Sequence, residues 1–286
     1  MSVRVELIGP TGSVQPTDLV DELSAFAPPS VTVHDWGTSI RFVGDLCTTD
    51  ALRPSVRSRA REAGWDAAVI SGRLATQPPA LLVMDVDSTL ITAEVIDLLA
   101  DAAGSGERVA EITEQAMRGE LDFGEALRER VSTLAGLPVG VFAEVVDEIE
   151  FTPGARQLIG AARSHGARIG LVSGGFIEVV QHLAEEVGTD FAVANHLEIV
   201  DGHLTGRTTG EVIDRDAKLR HLLSFADQTG CTVERAVAIG DGANDLAMLS
   251  AAGLGIAYCA KPVAANAAPA TVSFPRLDAA RAFAGL

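Results

Sequence analysis

Along the chain, apolar positions recur at two spacings, every second residue or every third to fourth, and the changes of period mark out the elements. Residues 3–8 (VRVELI) alternate as a strand and end at Gly9-Pro10. Residues 16–26 carry Leu19, Leu23 and Phe26 at helical spacing. Residues 30–35 and 39–43 are two short strands around a Trp36-Gly37-Thr38 turn. Residues 48–64 predict a second helix closed by a glycine, and residues 65–70 a fourth strand. The order β-α-β-β-α-β is that of a split βαβ, ferredoxin-like unit. Residues 72–79 (GRLATQPP) read as a polar, proline-containing linker. Residues 1–74 are therefore expected to form a small α+β domain and residues 75–286 a second, larger one.

The larger region opens with an apolar run, residues 80–84 (ALLVM), cut off by Asp85-Val86-Asp87-Ser88-Thr89. Bounded in this way, the run predicts a buried strand. Residues 92–103 are amphipathic, with Thr92 as the expected N-cap. From 107 to 149 every segment has a helical pattern, broken at Gly119, Gly136-Leu137-Pro138 and Gly140. A helical insert over about 92–150, between the first two strands of an α/β core, would make a lid. Beyond it come a helix over 155–165, a strand over 167–172 ending in Ser173-Gly174-Gly175, and a hairpin over 191–211 around Asp201-Gly202. A helix over 216–226 follows, then a strand over 236–239 ending in Gly240-Asp241-Gly242-Ala243-Asn244-Asp245, and a short strand over 254–257. Alternating strands and helices predict a Rossmann-like parallel sheet, with the hairpin as a small flap beside the site. The alanine-rich stretch 264–270 suggests no element.

Candidate chemistry gathers at the strand ends, where ligands collect in open α/β sheets. Of two carboxylates two residues apart, Asp85 and Asp87, one can attack phosphorus while the other moves protons. Asp also serves turns and caps at such positions. Asp85 and Asp241 can share one hard cation, and Mg²⁺ takes oxygen ligands of this kind. The hydroxyl and free N–H groups of Ser173-Gly174-Gly175 suit phosphate oxygens, or make an ordinary strand-to-helix turn. Lys218, in the first turn of its helix, opposes the helix dipole and wants an anion, unless it is a solvated surface lysine. Glu94 reads as an acid complementing the dipole of its helix. Arg130 shares an otherwise apolar helical stripe with Phe123, Leu127 and Leu134, so it needs an anion, either a ligand or a buried partner.

Composition narrows the classes. A hydrophobic content of 47% is ample for a core, and a net charge of −17 disfavours a nucleic-acid or anionic-membrane surface. It also means that a phosphorylated ligand must be drawn in by local positive charge. Cys47, Cys231 and Cys259 have no C-x-x-C spacing and are expected to be buried or inert thiols of a reducing compartment. The N-terminus has no signal-peptide pattern and no apolar stretch reaches about 18 residues, so a soluble, cytoplasmic protein is expected. The six histidines lack HExxH spacing, which makes zinc an unexpected ligand, and neither G-x-S-x-G nor a P-loop is present.

Taken in order, D-x-D-x-T, the strand-end serine, the lysine and GDGxND resemble the haloacid dehalogenase (HAD) superfamily over residues 81–259. DVDSTL with Glu94, FGEALRERVSTLAGL, VSGGF and GDGANDLAML are similar, within it, to the phosphoserine phosphatase family. The resemblance implies a HAD core with a helical cap, and Mg²⁺-dependent hydrolysis of phosphoserine, the last step of serine biosynthesis. It implies Asp85 as nucleophile, Asp87 as general acid/base, and Mg²⁺ on Asp85, Asp241 and the backbone carbonyl of Asp87. Ser173, Gly174 and Lys218 would hold the phosphoryl oxygens, with Asn244 nearby. Glu94 would meet the substrate ammonium and Arg130 its carboxylate. Residues 1–74 look like the small ACT-like domains that accompany some members, with an amino-acid effector or a homodimer as their implied use. Two other readings stay open: the same fold acting on another small phosphomonoester, and an amino-acid-binding module without catalysis.

Overall fold

The computed structural model describes residues 2–45 and 52–286. Cys47 and the first residues of the helix expected from 48 lie outside them. The N-terminal region folds as β1 (Ser2–Pro10), α1 (Thr17–Ser24), β2 (Pro29–His34), β3 (Gly37–Asp45), α2 (Leu52–Glu62) and β4 (Asp66–Ser71). The strands form an antiparallel sheet in the order β2-β3-β1-β4, which is the ferredoxin-like arrangement. Alternation along β1 sends Val3, Val5 and Leu7 into a core shared with Leu19, Leu23, Val56 and Ala60 of the two helices.

The opposite face of β1 is also buried, although it carries charges. Glu6 is fully buried and Arg4 is 4% exposed. Glu6 accepts from Arg41 of β3 at 2.8 Å, and Arg4 donates to the carbonyl of Phe283 near the chain's last helix. This face of the sheet is docked on the larger region. Ile8, Trp36 and Ile70 belong to the same apolar cluster as Leu82, Met84 and Phe283. Asp66 accepts from the Thr271 hydroxyl at 2.6 Å and from the Ser273 N–H and hydroxyl at 2.7 and 2.8 Å. The linker stretch 72–79 is partly buried between the two regions. It begins with a short turn, Gly72–Ala75, whose Leu74 is 1% exposed.

The larger region is built on a seven-stranded sheet ordered β11-β10-β9-β5-β6-β7-β8. Its strands are β5 (Leu81–Met84), β6 (Arg168–Phe176), β7 (Phe191–Val200), β8 (His203–Thr209), β9 (Ala236–Gly240), β10 (Leu254–Tyr258) and β11 (Ala270–Val272). All neighbours are parallel except β7 and β8, the predicted hairpin, where Asp201 and Gly202 both take positive φ. β5 is wholly buried at the centre, between β9 and β6, as its unbroken apolar run requires.

The helical insert comprises α3 (Val95–Ala102), α4 (Gly106–Met117), α5 (Phe123–Ser132) and α6 (Val141–Glu148). Its base is closed by an antiparallel bridge between Ile91 and Phe151. Thr92 is not the cap of α3. That bridge extends the chain there, the Thr92 N–H bonds to Glu150, and the helix starts at Val95. The remaining helices are α7 (Ala155–Ser164), α8 (Ile177–Val187), α9 (Arg215–Thr229), α10 (Leu246–Ala251), α11 (Pro262–Ala267) and α12 (Ala280–Ala284).

One expectation fails toward the end of the chain. The alanine-rich stretch contains α11 and leads into β11, a sheet edge too short to show a period. Of the two alternatives expected for the thiols, burial does not hold for Cys259, which is exposed in a left-handed turn (φ 40°). No helix among the described residues is long and apolar enough to cross a membrane.

Candidate active site

A cleft of about 360 Å³ opens over the carboxyl ends of β5, β6 and β9, roofed by the insert. Asp85 follows β5 directly and is 4% exposed. Its Oδ1 accepts from the Val86 N–H at 2.7 Å, and its Oδ2 stands 2.6 Å from Nζ of Lys218. Lys218 is fully buried and also donates to Oδ1 of Asp245 at 2.7 Å. Helix α9 is capped by Asp214, whose side chain accepts from Ala217, and this starts the helix so that Lys218 turns inward.

Asp245 is the functional acid that the sequence reading left unassigned. It is the last residue of GDGAND and is fully buried. Its Oδ2 accepts from the Gly242 N–H at 2.9 Å while Oδ1 takes Lys218. Gly240 makes room for it, since a Cβ there would collide with the Asp245 carboxylate. Asp85, Asp241 and Asp245 each bring a carboxylate oxygen within 4.8 Å of the others. The donor set is all oxygen and strongly acidic, as a hard divalent cation requires.

Asp87 is held from two sides. Its Oδ1 accepts from the Val95 N–H at 2.8 Å, so this side chain caps α3, and its Oδ2 accepts from the Ser173 hydroxyl at 3.0 Å. The Ser173 hydroxyl in turn accepts from the Gly175 N–H at 2.8 Å. A Cβ on Gly175 would lie 2.7 Å from Oδ2 of Asp87, so the chain approaches this closely only without a side chain. Asn195 is a further positioning residue absent from the sequence reading. Fully buried on β7, it donates to the Gly174 carbonyl at 2.8 Å and accepts from Ile213 at 2.9 Å, tying the Ser173-Gly174 turn to the chain entering α9.

On the opposite wall, Glu94 and Arg130 come into one cleft with Phe123, Leu127 and Ile96. Glu94 accepts from the Ser88 hydroxyl at 2.7 Å, with Ser88 in a left-handed conformation (φ 54°). Arg130 donates through Nε to the Ala126 carbonyl at 3.3 Å. The structure thus brings together all nine residues singled out above, Asp85, Asp87, Glu94, Arg130, Ser173, Gly174, Lys218, Asp241 and Asn244, and adds Asp245. Asp87 and the acid cluster lie on the same floor, but the Asp87 side chain is not one of the three clustered carboxylates.

The electrostatics follow from burial and crowding. Burial pushes Asp85 well up, Asp245 adds to this, and Lys218 works against it. Burial alone would drive a proton off Lys218, but Asp85 and Asp245 more than offset that and hold it protonated. Burial and the Glu94 charge raise Asp87 to about 6, against the hydrogen bonds from Val95 and Ser173. Burial, Asp245 and Glu94 likewise raise Asp241 to about 6.

Residues 82–250 match the model of the haloacid dehalogenase-like hydrolases. A phosphoserine phosphatase of Streptococcus thermophilus is 53% identical over 197 residues, covering 69% of this chain and 92% of that protein. This chain belongs to the phosphoserine phosphatase family of the haloacid dehalogenase-like hydrolases. Another member of the family, from Streptomyces coelicolor, is 51% identical over 241 residues, 84% of this chain. The aligned part spans 59% of the length of that relative. A solved structure of the family, described as a phospho-aspartyl intermediate analogue of phosphoserine phosphatase, is 40% identical. It has a TM-score of 0.67, and the match covers 71% of this chain and 98% of that one.

Proposed function

We propose that this protein hydrolyses O-phospho-L-serine to L-serine and phosphate through an aspartyl-phosphate on Asp85, with Mg²⁺ as its metal. Within this reading it acts in the cytoplasm at the last step of serine biosynthesis. The observation that carries the proposal is the constellation on one floor. A buried carboxylate is paired to a buried lysine, a second carboxylate near pKa 6 lies beside a strand-end hydroxyl, and a cluster of acids is open to a cation.

Asp85 attacks phosphorus and the ester P–O bond breaks, the electron pair leaving on the serine oxygen. Asp87, protonated, gives its proton to that oxygen. Water then attacks the phosphorus and passes a proton to Asp87, and the bond to Asp85 breaks. A carboxyl near pKa 6 suits both duties, since each protonation state is accessible near neutrality. Lys218 offsets the charge of Asp85 that would otherwise repel the phosphate. Asp85, Asp241 and Asp245, with the backbone carbonyl of Asp87, would hold Mg²⁺, which supplies further positive charge to the phosphoryl oxygens. Ser173, the Gly174 backbone and Asn244 would complete the phosphate cradle. Glu94 and Arg130 would read the ammonium and the carboxylate of the amino acid beneath the insert. The N-terminal sheet serves as a regulatory or dimerising module, a role supported by its exposed β2 edge.

Phosphate release from L-phosphoserine, measured against a panel of phosphomonoesters with and without Mg²⁺, tests the proposal. Turnover is expected with phosphoserine preferred and Mg²⁺ required. Equal rates on esters lacking the amino and carboxyl groups would replace it with a broad phosphomonoesterase.

A further inference from the structure

We infer that Lys261 is a second working cation of this cleft, one that draws the phosphate dianion of the incoming ligand from solvent toward Asp85. The inference rests on the reading of the cleft as a phosphomonoester site.

Composition gives the first argument. Of the 22 basic side chains in the chain, 20 are arginine, so arginine is the default surface cation here. The two lysines are Lys218 and Lys261, more than forty residues apart, and both reach the same cleft.

Their positions divide the work. Lys218 is fully buried and bound to Asp85 and Asp245, so it cannot meet a ligand at the entrance. Lys261 lines the cleft beside Asp241, Gly242 and Asn244 and is exposed. Among the described residues, the ion pairs made by lysine all belong to Lys218, which leaves the Lys261 ammonium uncommitted. Its main chain is fixed to the floor. The Lys261 N–H donates to the Asp241 carbonyl at 3.2 Å, and its own carbonyl accepts from Ala265 in the first turn of α11.

The need for such a residue follows from the field. The chain carries a net charge of −17, and Asp85, Asp87, Glu94 and Asp241 all line the cleft. Arg130, the other cation in the lining, is held on the far wall near Glu94 and Asp97. A dianion arriving on the Asp241 side therefore meets Lys261 first. A lysine suits this task because its ammonium is a mobile, hydrated point charge that takes an anion and lets it go. A guanidinium beside Asp241 has the geometry to dock on the carboxylate itself.

The test is the binding of inorganic phosphate to the full chain with Mg²⁺ present, at low and high ionic strength, with phosphoserine kinetics in parallel. Lys261→Ala is expected to raise the dissociation constant for phosphate and the KM for phosphoserine about three- to tenfold at low salt, with kcat changing less. The difference should shrink at high salt. Lys261→Glu should bind phosphate more weakly still, and Lys261→Arg should recover only part of the loss, because its guanidinium is drawn onto the Asp241 carboxylate. Lys261 is exposed, so folding is not at risk, and circular dichroism checks it. If Lys261→Ala binds phosphate as the wild type does at low salt, or the wild type binds none, the inference is overturned. If the variant loses phosphate affinity while the wild type fails to hydrolyse phosphoserine, the inference stands and the assigned substrate falls.

Discussion

The N–H of Val95 donates to Oδ1 of Asp87 over 2.8 Å, joining the first helix of the insert to the proposed acid/base. A helix N-terminus aimed at this carboxylate orients it and favours its ionised form, while burial and Glu94 favour the neutral one. The balance near pKa 6 is thus set partly by the roof of the cleft. Any movement of α3 would shift that balance at the proposed acid/base.

Replacing Asp85 by asparagine keeps the shape of the side chain and removes the nucleophile. Phosphoserine turnover with Mg²⁺ is expected to fall by at least about 10³-fold. Phosphate release is the readout, and a rate near that of the wild type would remove Asp85 from the reaction.

Lys218→Ala leaves Asp85 and Asp245 buried without their shared partner. Breaking a buried pair of this kind costs roughly 3–5 kcal/mol, and here two acids are left facing one another. Urea unfolding should show that loss without divalent ions and a partial recovery when Mg²⁺ is added. An unchanged midpoint would mean that the cluster is already neutralised by protons.

Cation affinity should depend on pH with a definite sign. In the cation-free site Asp241 holds its proton up to about pH 6, because burial, Asp245 and Glu94 disfavour its charge, and Asp85 is pushed up as well. Below that pH a cation must displace the Asp241 proton, and above it that carboxylate is already ionised. Mg²⁺ affinity is therefore expected to weaken as pH falls through 6, by about tenfold per pH unit for each proton displaced. Calorimetry in buffers of different ionisation enthalpy counts those protons, and constant affinity from pH 5 to 8 would contradict the expectation.

Arg130→Ala should erode selectivity more than rate. Without the guanidinium, the carboxylate of phosphoserine is left unpaired in the cleft, at about 1–3 kcal/mol. The preference for phosphoserine over a simple aryl phosphate should drop roughly ten- to hundredfold in kcat/KM. An unaltered preference would show that the insert does not read the amino acid.

Asp66→Ala tests the docking of the N-terminal sheet. It removes three hydrogen bonds to Thr271 and Ser273, with an expected loss of about 1–3 kcal/mol in denaturant unfolding. A variant as stable as the wild type would show that apolar contacts such as Trp36 on Phe274 carry the interface.

How much of this was legible in the chain depended on distance along it. The hairpin at Asp201-Gly202 and the buried strand before Asp85 declare themselves within a few residues, because turn chemistry and apolar runs are local. The caps were harder. Thr92 has the right side chain for a cap, but Asp87 supplies that bond from an adjoining loop. The charged face of β1 carried no sign of its burial because what covers it, the segment around Phe283, lies some 280 residues away. β11 was illegible because three residues cannot show a period.

The sequence by itself determined which acids, hydroxyl and lysine follow which strands, since each of those motifs is contiguous with the element that presents it. Only the tertiary structure decided that Asp245 faces Lys218, that Asp87 caps α3, and that Lys261 reaches the rim of the same cleft. Those relations join residues from eight to more than a hundred positions apart, and the burial that makes them matter comes from the whole fold.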